Sequence, residues 1–578
     1  MGQSVNRVEE FALQEEILAL IKKLVSIPSV SGTAGENVVA RAMEDWLRAV
    51  PYFVEHPEFV LSLPVEEGGL ERRAVLAFLP AGKPTERTVL LTGHHDVVDT
   101  DVCGDLADLA YDADAYTAAL ADRVLPEDAR RDLDSGNYLF GRGVMDMKGG
   151  LALHMCFVRH MSEQRDNLGV NLLFLSVPDE EANSTGMRGS LPALAAFVRE
   201  HGLRLVAALT GEPTFPIMAS EEDSGENGPD EDRTSASTLQ RMYYTGTTGK
   251  MMPFFFCIGR EAHAGCYYDG VNGAAIAARV TVLMDGNPNF IDAIRSPETG
   301  KREALSPPCC LGLKDLRGVY SVTLPERAIV YCNVLNMVRT PTQVLEQCRQ
   351  VAQQALDETL VSLRRSGERT RELAGLTGNP VPDWTARVYS FAELQKLAAL
   401  AAGDGVADPA CFLESLPSET DARVSGLSLV DHLVSLAHLK GPAIVVGFLP
   451  PYYPAKINLR RDGDEMRLRR ILEEVCADAE RMVGNIRLVE CFGGITDLSF
   501  LGFQGRREDL DSITGNMPGW GKLYDLSIDD LVALDAPVAN MGPSGKDAHK
   551  DTERLELEYS LRIAPQLLAS TIRKLSDR

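Results

Sequence analysis

The 578-residue sequence predicts an α/β fold: an α/β/α layered domain around a mostly parallel sheet, interrupted by an inserted α+β sandwich. Three observations predict it. Over the first 215 residues, short continuously apolar runs alternate with helical periods, as expected of strands covered by helices on both faces. An acidic stretch broken by Gly and Pro, Ala219–Thr238, then interrupts that alternation. From Glu465 the alternation resumes. The implied boundaries are 1–218 and 464–578 for the two parts of one domain and 219–463 for the insert, with an extra segment at about 366–463.

Taken in order, Val8–Leu24 has helical periodicity, and the Pro and Gly of "IPSVSG", Ile27–Gly32, end it. Asn37–Val50 forms a second helix. Ala74–Leu79 and Thr88–Thr92 are apolar runs of strand length, Gly149–Met161 is a helix, and Val170–Val177 and Leu203–Leu209 are further strands. In the insert, Phe254–Ile258 is a strand and Gly273–Met284 a helix. Strands at Val319–Leu324 and Ala328–Leu335 and a long helix from Pro341 to about Arg364 follow, an order that suits a small α+β sandwich. Ser366–Gly463 adds a helix near Ala392–Ala402 and a strand at Ala443–Phe448. Beyond Glu465 come a helix to Val483, strands at Ile486–Cys491 and Pro537–Met541, and a helix at Pro565–Leu575.

A formal net charge of −25 repels phosphate backbones and anionic lipid headgroups, which argues against nucleic acid and membrane partners. No apolar run reaches the ~20 residues needed to cross a bilayer, and the charged N-terminal stretch has no signal-peptide core. Eleven scattered cysteines without a CxxC read as reduced thiols of a cytoplasmic protein.

Open α/β sheets place their sites at strand carboxyl ends, and several such ends carry possible ligands. In "LLTGHHDVVDT", Leu90–Thr100, His94 and Asp96 share one strand face while His95 points away. That pair suits one ligand and a supporting carboxylate, or a structural histidine beside a turn. In "GRGVMDMKGG", Gly141–Gly150, glycines flank Asp146 just before a helix, where it is a ligand or an N-cap. In "FLSVPDEEANSTG", Asp179, Glu180 and Glu181 end an apolar strand; three adjacent carboxylates facing a cleft repel one another unless a cation neutralises them. Glu212 ends the strand of "ALTGEPT", and His549 follows a Gly-rich loop in "MGPSGKDAHKDTE". Two histidines with several carboxylates form a mixed N/O set suited to zinc or a similar divalent ion.

These segments, in this order, resemble the M20 metallopeptidases, a co-catalytic zinc group of aminoacylases, carboxypeptidases and dipeptidases. "IPSVSG", "GGITDLSFLG" at Gly493–Gly502 and "GREAHAGCYYDGVNGA" at Gly259–Ala274 also look like family segments. The resemblance implies two divalent ions, zinc first, with cobalt or manganese as alternatives. His94, Asp146 and Glu212 would hold one and Asp146, Glu181 and His549 the other, so that Asp146 bridges. It further implies that Asp96 orients His94, that Glu180 is the general base for a metal-bound hydroxide attacking an amide carbonyl, and that His263 on the inserted domain stabilises the oxyanion, often in a dimer partner's site. The expected substrate is a small molecule or short peptide, such as an N-acyl amino acid, and a homodimer would form through the insert. "GFLPPYYPAKIN" (Gly447–Asn458) and "NMPGWGKLYDL" (Asn516–Leu526) look like the long, arginine-utilisation RocB-like branch. "VTLPE", Val322–Glu326, lacks the Asn with which many relatives contact a substrate carboxylate. Two other assignments stand beside this one: a non-catalytic binding protein that keeps the fold, and a hydrolase of a guanidino or ureido compound.

Other features carry less. "YYTGTTGKM" at Tyr243 lacks the first Gly and the final Ser/Thr of a phosphate loop. His154, His160, His432 and His438 read as structural, His95 as a packing or hydrogen-bonding residue, and Cys491 lacks the partners of a nucleophile.

Overall fold

A computed structural model describes residues 2–67, 70–214, 217–218, 239–296, 300, 302–403, 409–417, 420–483 and 486–577. The acidic stretch Ala219–Thr238 lies outside the described residues. The chain divides into two compact units: residues 1–247, 456–503 and 527–578 form the first, residues 248–455 and 504–526 the second. The division falls elsewhere than at 219 and 463. Leu239–Tyr244 is a strand of the first unit's sheet, and residues 504–526 join the second unit.

The first unit is built on a nine-stranded sheet. Its path runs Val60–Glu67, Leu70–Leu79, Asn171–Val177, Arg87–His94, Arg204–Thr210, Val538–Asn540, Leu239–Tyr244, Ile486–Val489, with Ile217–Met218 alongside Leu239–Tyr244. The four central strands, from Asn171–Val177 to Val538–Asn540, are parallel neighbours. Asn171–Val177 is buried at every position, as the continuous apolar runs require. Towards one edge the sheet is antiparallel: Val60–Glu67 pairs with Leu70–Leu79, too close in sequence for a parallel crossover, and Leu70–Leu79 runs antiparallel to Asn171–Val177 as well. Helices Gly2–Val25, Gly35–Arg48, Lys148–Ser162 and Ala564–Ser576 contribute to one large apolar core with these strands.

The second unit has a five-stranded sheet in the order Cys309–Asp315, Arg327–Asn336, Gly249–Ile258, Ala443–Tyr453, Arg387–Ser390. Helices Gly273–Met284 and Pro341–Leu373 pack against each other. The stretch beyond Ser366 is an extension of this unit: Ala443–Tyr453 lies beside Gly249–Ile258, and helices Phe391–Ala402 and Ala422–Leu436 bury Phe391, Leu394, Val430 and Leu433 with Phe254, Phe256 and Val445. The strand expected at Val319–Leu324 does not form. Val319, Tyr320 and Val322 are exposed, so β-branched composition there has no face to bury, and the edge strand is Cys309–Asp315 instead.

Candidate metal centre

Three adjacent parallel strands of the first unit end at one level. His94 is opposite Val177 and Thr92 is opposite Thr210, so the chain leaves the sheet together at His94, before Glu180–Glu181, and before Glu212. The Lys148–Ser162 helix delivers Asp146 to the same place. Gly150 permits this: a Cβ there would lie 2.0 Å from the carbonyl oxygen of Gly211. Met147 occupies the N-cap and no side chain caps the helix, so the Asp146 carboxylate is not consumed as a cap.

His94 Nε2 faces Asp146 Oδ1 at 3.3 Å, Glu212 Oε1 at 3.6 Å and Glu180 Oε2 at 3.9 Å. His549 Nε2 faces Asp146 Oδ2 at 3.3 Å and Glu181 Oε1 at 3.0 Å. The two oxygens of Asp146 are therefore turned towards different histidines. His94, Asp146 and Glu181 also offer donor atoms within 4.8 Å of one another. Asp96 ties the cluster together. His94 Nδ1 lies 3.1 Å from the Asp96 carbonyl and 3.5 Å from its carboxylate, which accepts hydrogen bonds from the backbone N–H of Glu180 at 3.1 Å, that of Glu181 at 3.2 Å and the Ser31 hydroxyl at 2.6 Å. His95 turns the other way, with Nδ1 2.9 Å from the Ser176 hydroxyl.

The electrostatics ask for a cation. Burial opposes a charge on His94, yet Glu212, Asp146, Asp96 and Glu180 raise its pKa well above the usual imidazole value. Hydrogen bonds to Asp146 and Glu181 push His549 up to about 10. Burial first, then neighbouring acids, raise Glu180 and Glu212 well above the carboxylate range. Burial also opposes ionisation of Asp96, but the His94 contact and the Ser31 hydroxyl hold it down at about 2. By contrast His95, turned to the other strand face, and His154 are driven down to about 3, chiefly by desolvation. A two-histidine, multi-carboxylate donor set that holds protons so tightly fits divalent cations, which bind there by displacing them.

The seven first-unit residues expected from the sequence, His94, Asp96, Asp146, Glu180, Glu181, Glu212 and His549, converge. His263 belongs to the second unit, where it is exposed and caps the turn at Ala264 by accepting the Gly265 N–H at 3.1 Å. Asp497 was not singled out. It lies in "GGITDLSFLG", is buried, and is raised to about 7 by desolvation, with the charges of His94 and nearby acids acting on it. Arg142 and Glu553 were also missed, although both stand inside the quoted motifs.

Residues 90–508 match the family model for "Peptidase family M20/M25/M40". The sequence is 32% identical to "Uncharacterized protein YqjN" of Bacillus subtilis (strain 168) over 97% of this chain and 96% of that protein. It is 28% identical to "Protein RocB" of the same organism over 96% of this chain and 94% of that one. The fold is similar to that of the M20 family metallo-carboxypeptidase Sso-CP2 from Sulfolobus solfataricus, with TM-score 0.51 at 11% identity, covering 97% of this chain and 99% of that chain. With the family's span and a full-length relative both in place, the chain belongs to peptidase family M20/M25/M40 and is an M20-type metallopeptidase.

Proposed function

We propose that this protein is a dinuclear metal-dependent hydrolase that cuts an amide bond in a short peptide or N-acyl amino acid. One observation carries the reading: the Asp146 carboxylate presents one oxygen to His94 and the other to His549, each at 3.3 Å. His94, Asp146 and Glu212 would hold one ion and Asp146, Glu181 and His549 the other. Zinc suits this N/O set best, with cobalt and manganese as substitutes. When bound, the ions supply Lewis acidity towards the carbonyl and lower the pKa of a water.

The chain's own residues do the rest. Glu180 takes a proton from the attacking water and returns it to the leaving nitrogen; a carboxyl raised by burial and by Glu212, Asp497 and Glu181 is suited to hold that proton between the two steps. Asp96 fixes the His94 ring. His263 of the inserted unit is assigned the oxyanion contact, in its own chain or across a homodimer. Arginine-containing dipeptides and N-acyl arginines head the substrate classes, on the resemblance of residues 447–458 and 516–526 to the arginine-utilisation branch.

The full chain should carry close to two divalent ions by elemental analysis and turn over members of a panel of dipeptides and N-acyl amino acids with Zn, Co or Mn. A folded protein that takes up no ion overturns the centre. Turnover confined to guanidino or ureido compounds overturns the amide assignment. Glu180→Gln should lower kcat by about 10²–10⁴-fold with metal content unchanged; full activity would remove Glu180 as the base. Heterodimers of His263→Ala and Glu180→Gln chains should regain partial activity if His263 acts across subunits.

A further inference from the structure

His549 does not lie on a sheet strand. Its backbone is left-handed, with φ 67°, in a loop between two short strands, Gly545–Lys546 and Arg554–Glu556. Asp146 likewise sits in a loop, between the Tyr138–Phe140 strand and the Lys148–Ser162 helix. Arg554–Glu556 pairs with Tyr138–Phe140, which brings the two loops side by side though they lie some 400 residues apart in sequence.

Where they meet is a buried ion pair. Arg142 Nη1 donates to Glu553 Oε2 at 2.6 Å, with the two side chains 1% and 2% exposed. The remaining polar atoms of the pair hold the backbone of both loops and of Asp99. Glu553 Oε1 accepts the N–H of Gly143 at 2.8 Å and, at 3.5 Å, that of Asp146 itself. Arg142 Nη2 donates to the carbonyl of His549 at 3.2 Å, and its Nε to the carbonyl of Asp99 at 3.1 Å. The Gly143 backbone, φ 78°, is also left-handed, which glycine adopts readily. An ion pair this buried is weak evidence of stabilisation, since desolvation offsets much of the attraction. Its geometry points to another role, because one guanidinium fork grips the His549 loop and the carboxylate opposite grips the Asp146 loop.

We propose that Arg142 and Glu553 are positioning residues that set the distance between Asp146 and His549 and so determine how tightly the His549 end binds its cation. This rests on the proposed reading of Asp146 and His549 as ligands, and adds to it two residues that touch neither metal nor substrate. The fork is essential to it. Lysine carries its three N–H donors on one nitrogen and cannot reproduce the planar fork by which Nη1, Nη2 and Nε reach Glu553, the His549 carbonyl and the Asp99 carbonyl.

The test is calorimetric titration of the metal-stripped full chain with Zn. Wild-type protein should show two binding steps, and the step missing in His549→Ala marks the His549 end. In Arg142→Lys that step should weaken about 10–100-fold, as for other residues that orient ligands, while the other step stays within about threefold. Glu553→Gln is isosteric and keeps an acceptor for Gly143; it should weaken the same step less, and it carries the test if Arg142→Lys does not fold. Variants that melt earlier but bind both ions as wild type does, or lose both steps equally, would overturn the positioning role. A wild-type chain with fewer than two steps would instead overturn the dinuclear reading.

Discussion

The two histidines of the centre are held by opposite means. His94 ends a central strand, is 1% exposed, and has its Nδ1 against the Asp96 carbonyl and its backbone N–H on the Met147 sulfur. His549 is on a loop, is 49% exposed, and reaches Asp146 and Glu181 with its Nε2. One ring is placed by a buried strand end. The other is placed by a loop whose contacts are made by side chains. A carboxylate that faces both histidines does not make their settings equal: Asp146 turns one oxygen to each, yet the cost of removing either histidine should differ greatly.

The largest difference is expected when each histidine is removed in the metal-free protein. His94→Ala leaves Asp96, Asp146, Glu180 and Glu212 buried without their common cationic partner, and should destabilise by about 3–5 kcal/mol. His549→Ala opens onto solvent and should cost under ~1 kcal/mol. Urea unfolding measures both; equal losses would mean the ends are equivalent. A smaller effect is expected from Asp96→Asn. It loses the charge facing His94 but keeps an acceptor, and should lower zinc affinity about 10–100-fold at the His94 step while sparing the other. Calorimetry of the two steps separates these outcomes, and an equal loss at both would show that Asp96 acts through the Glu180–Glu181 backbone instead.

The mildest test is pH. Metal binding needs neutral imidazoles, and both pKa values are raised, that of His549 to about 10. Below those values each ring carries a proton that the cation must displace. Apparent affinity should therefore climb with pH from 6 to 9, by up to about tenfold per unit for each proton released, and fall as pH drops. Titrations in buffers of different ionisation enthalpy count the protons. A flat profile would show that neither histidine is a ligand.

Much of the site was legible from the strand-end pattern. His94, Glu180, Glu181 and Glu212 follow apolar runs, and a parallel sheet leaves the chain little choice about where such residues emerge. Asp146 was less secure, since a carboxylate before a helix is equally an N-cap; the structure puts Met147 at that position. Asp497 stood in a quoted segment without a role, because its neighbours come from distant loops. Val319–Leu324 misled for the same kind of reason: strand composition is local, but the burial that rewards it is not.

The layered α/β fold, the order of the candidate ligand motifs and the residue types at each strand end can be read along the chain, because periodicity and composition are properties of neighbouring residues. Only side chains meeting in space settle that Asp146 turns one oxygen to each histidine and that Arg142 meets Glu553. Those facts depend on side chains hundreds of residues apart meeting in a buried space, where charge is costly unless paired, and no short stretch of chain encodes such a pairing.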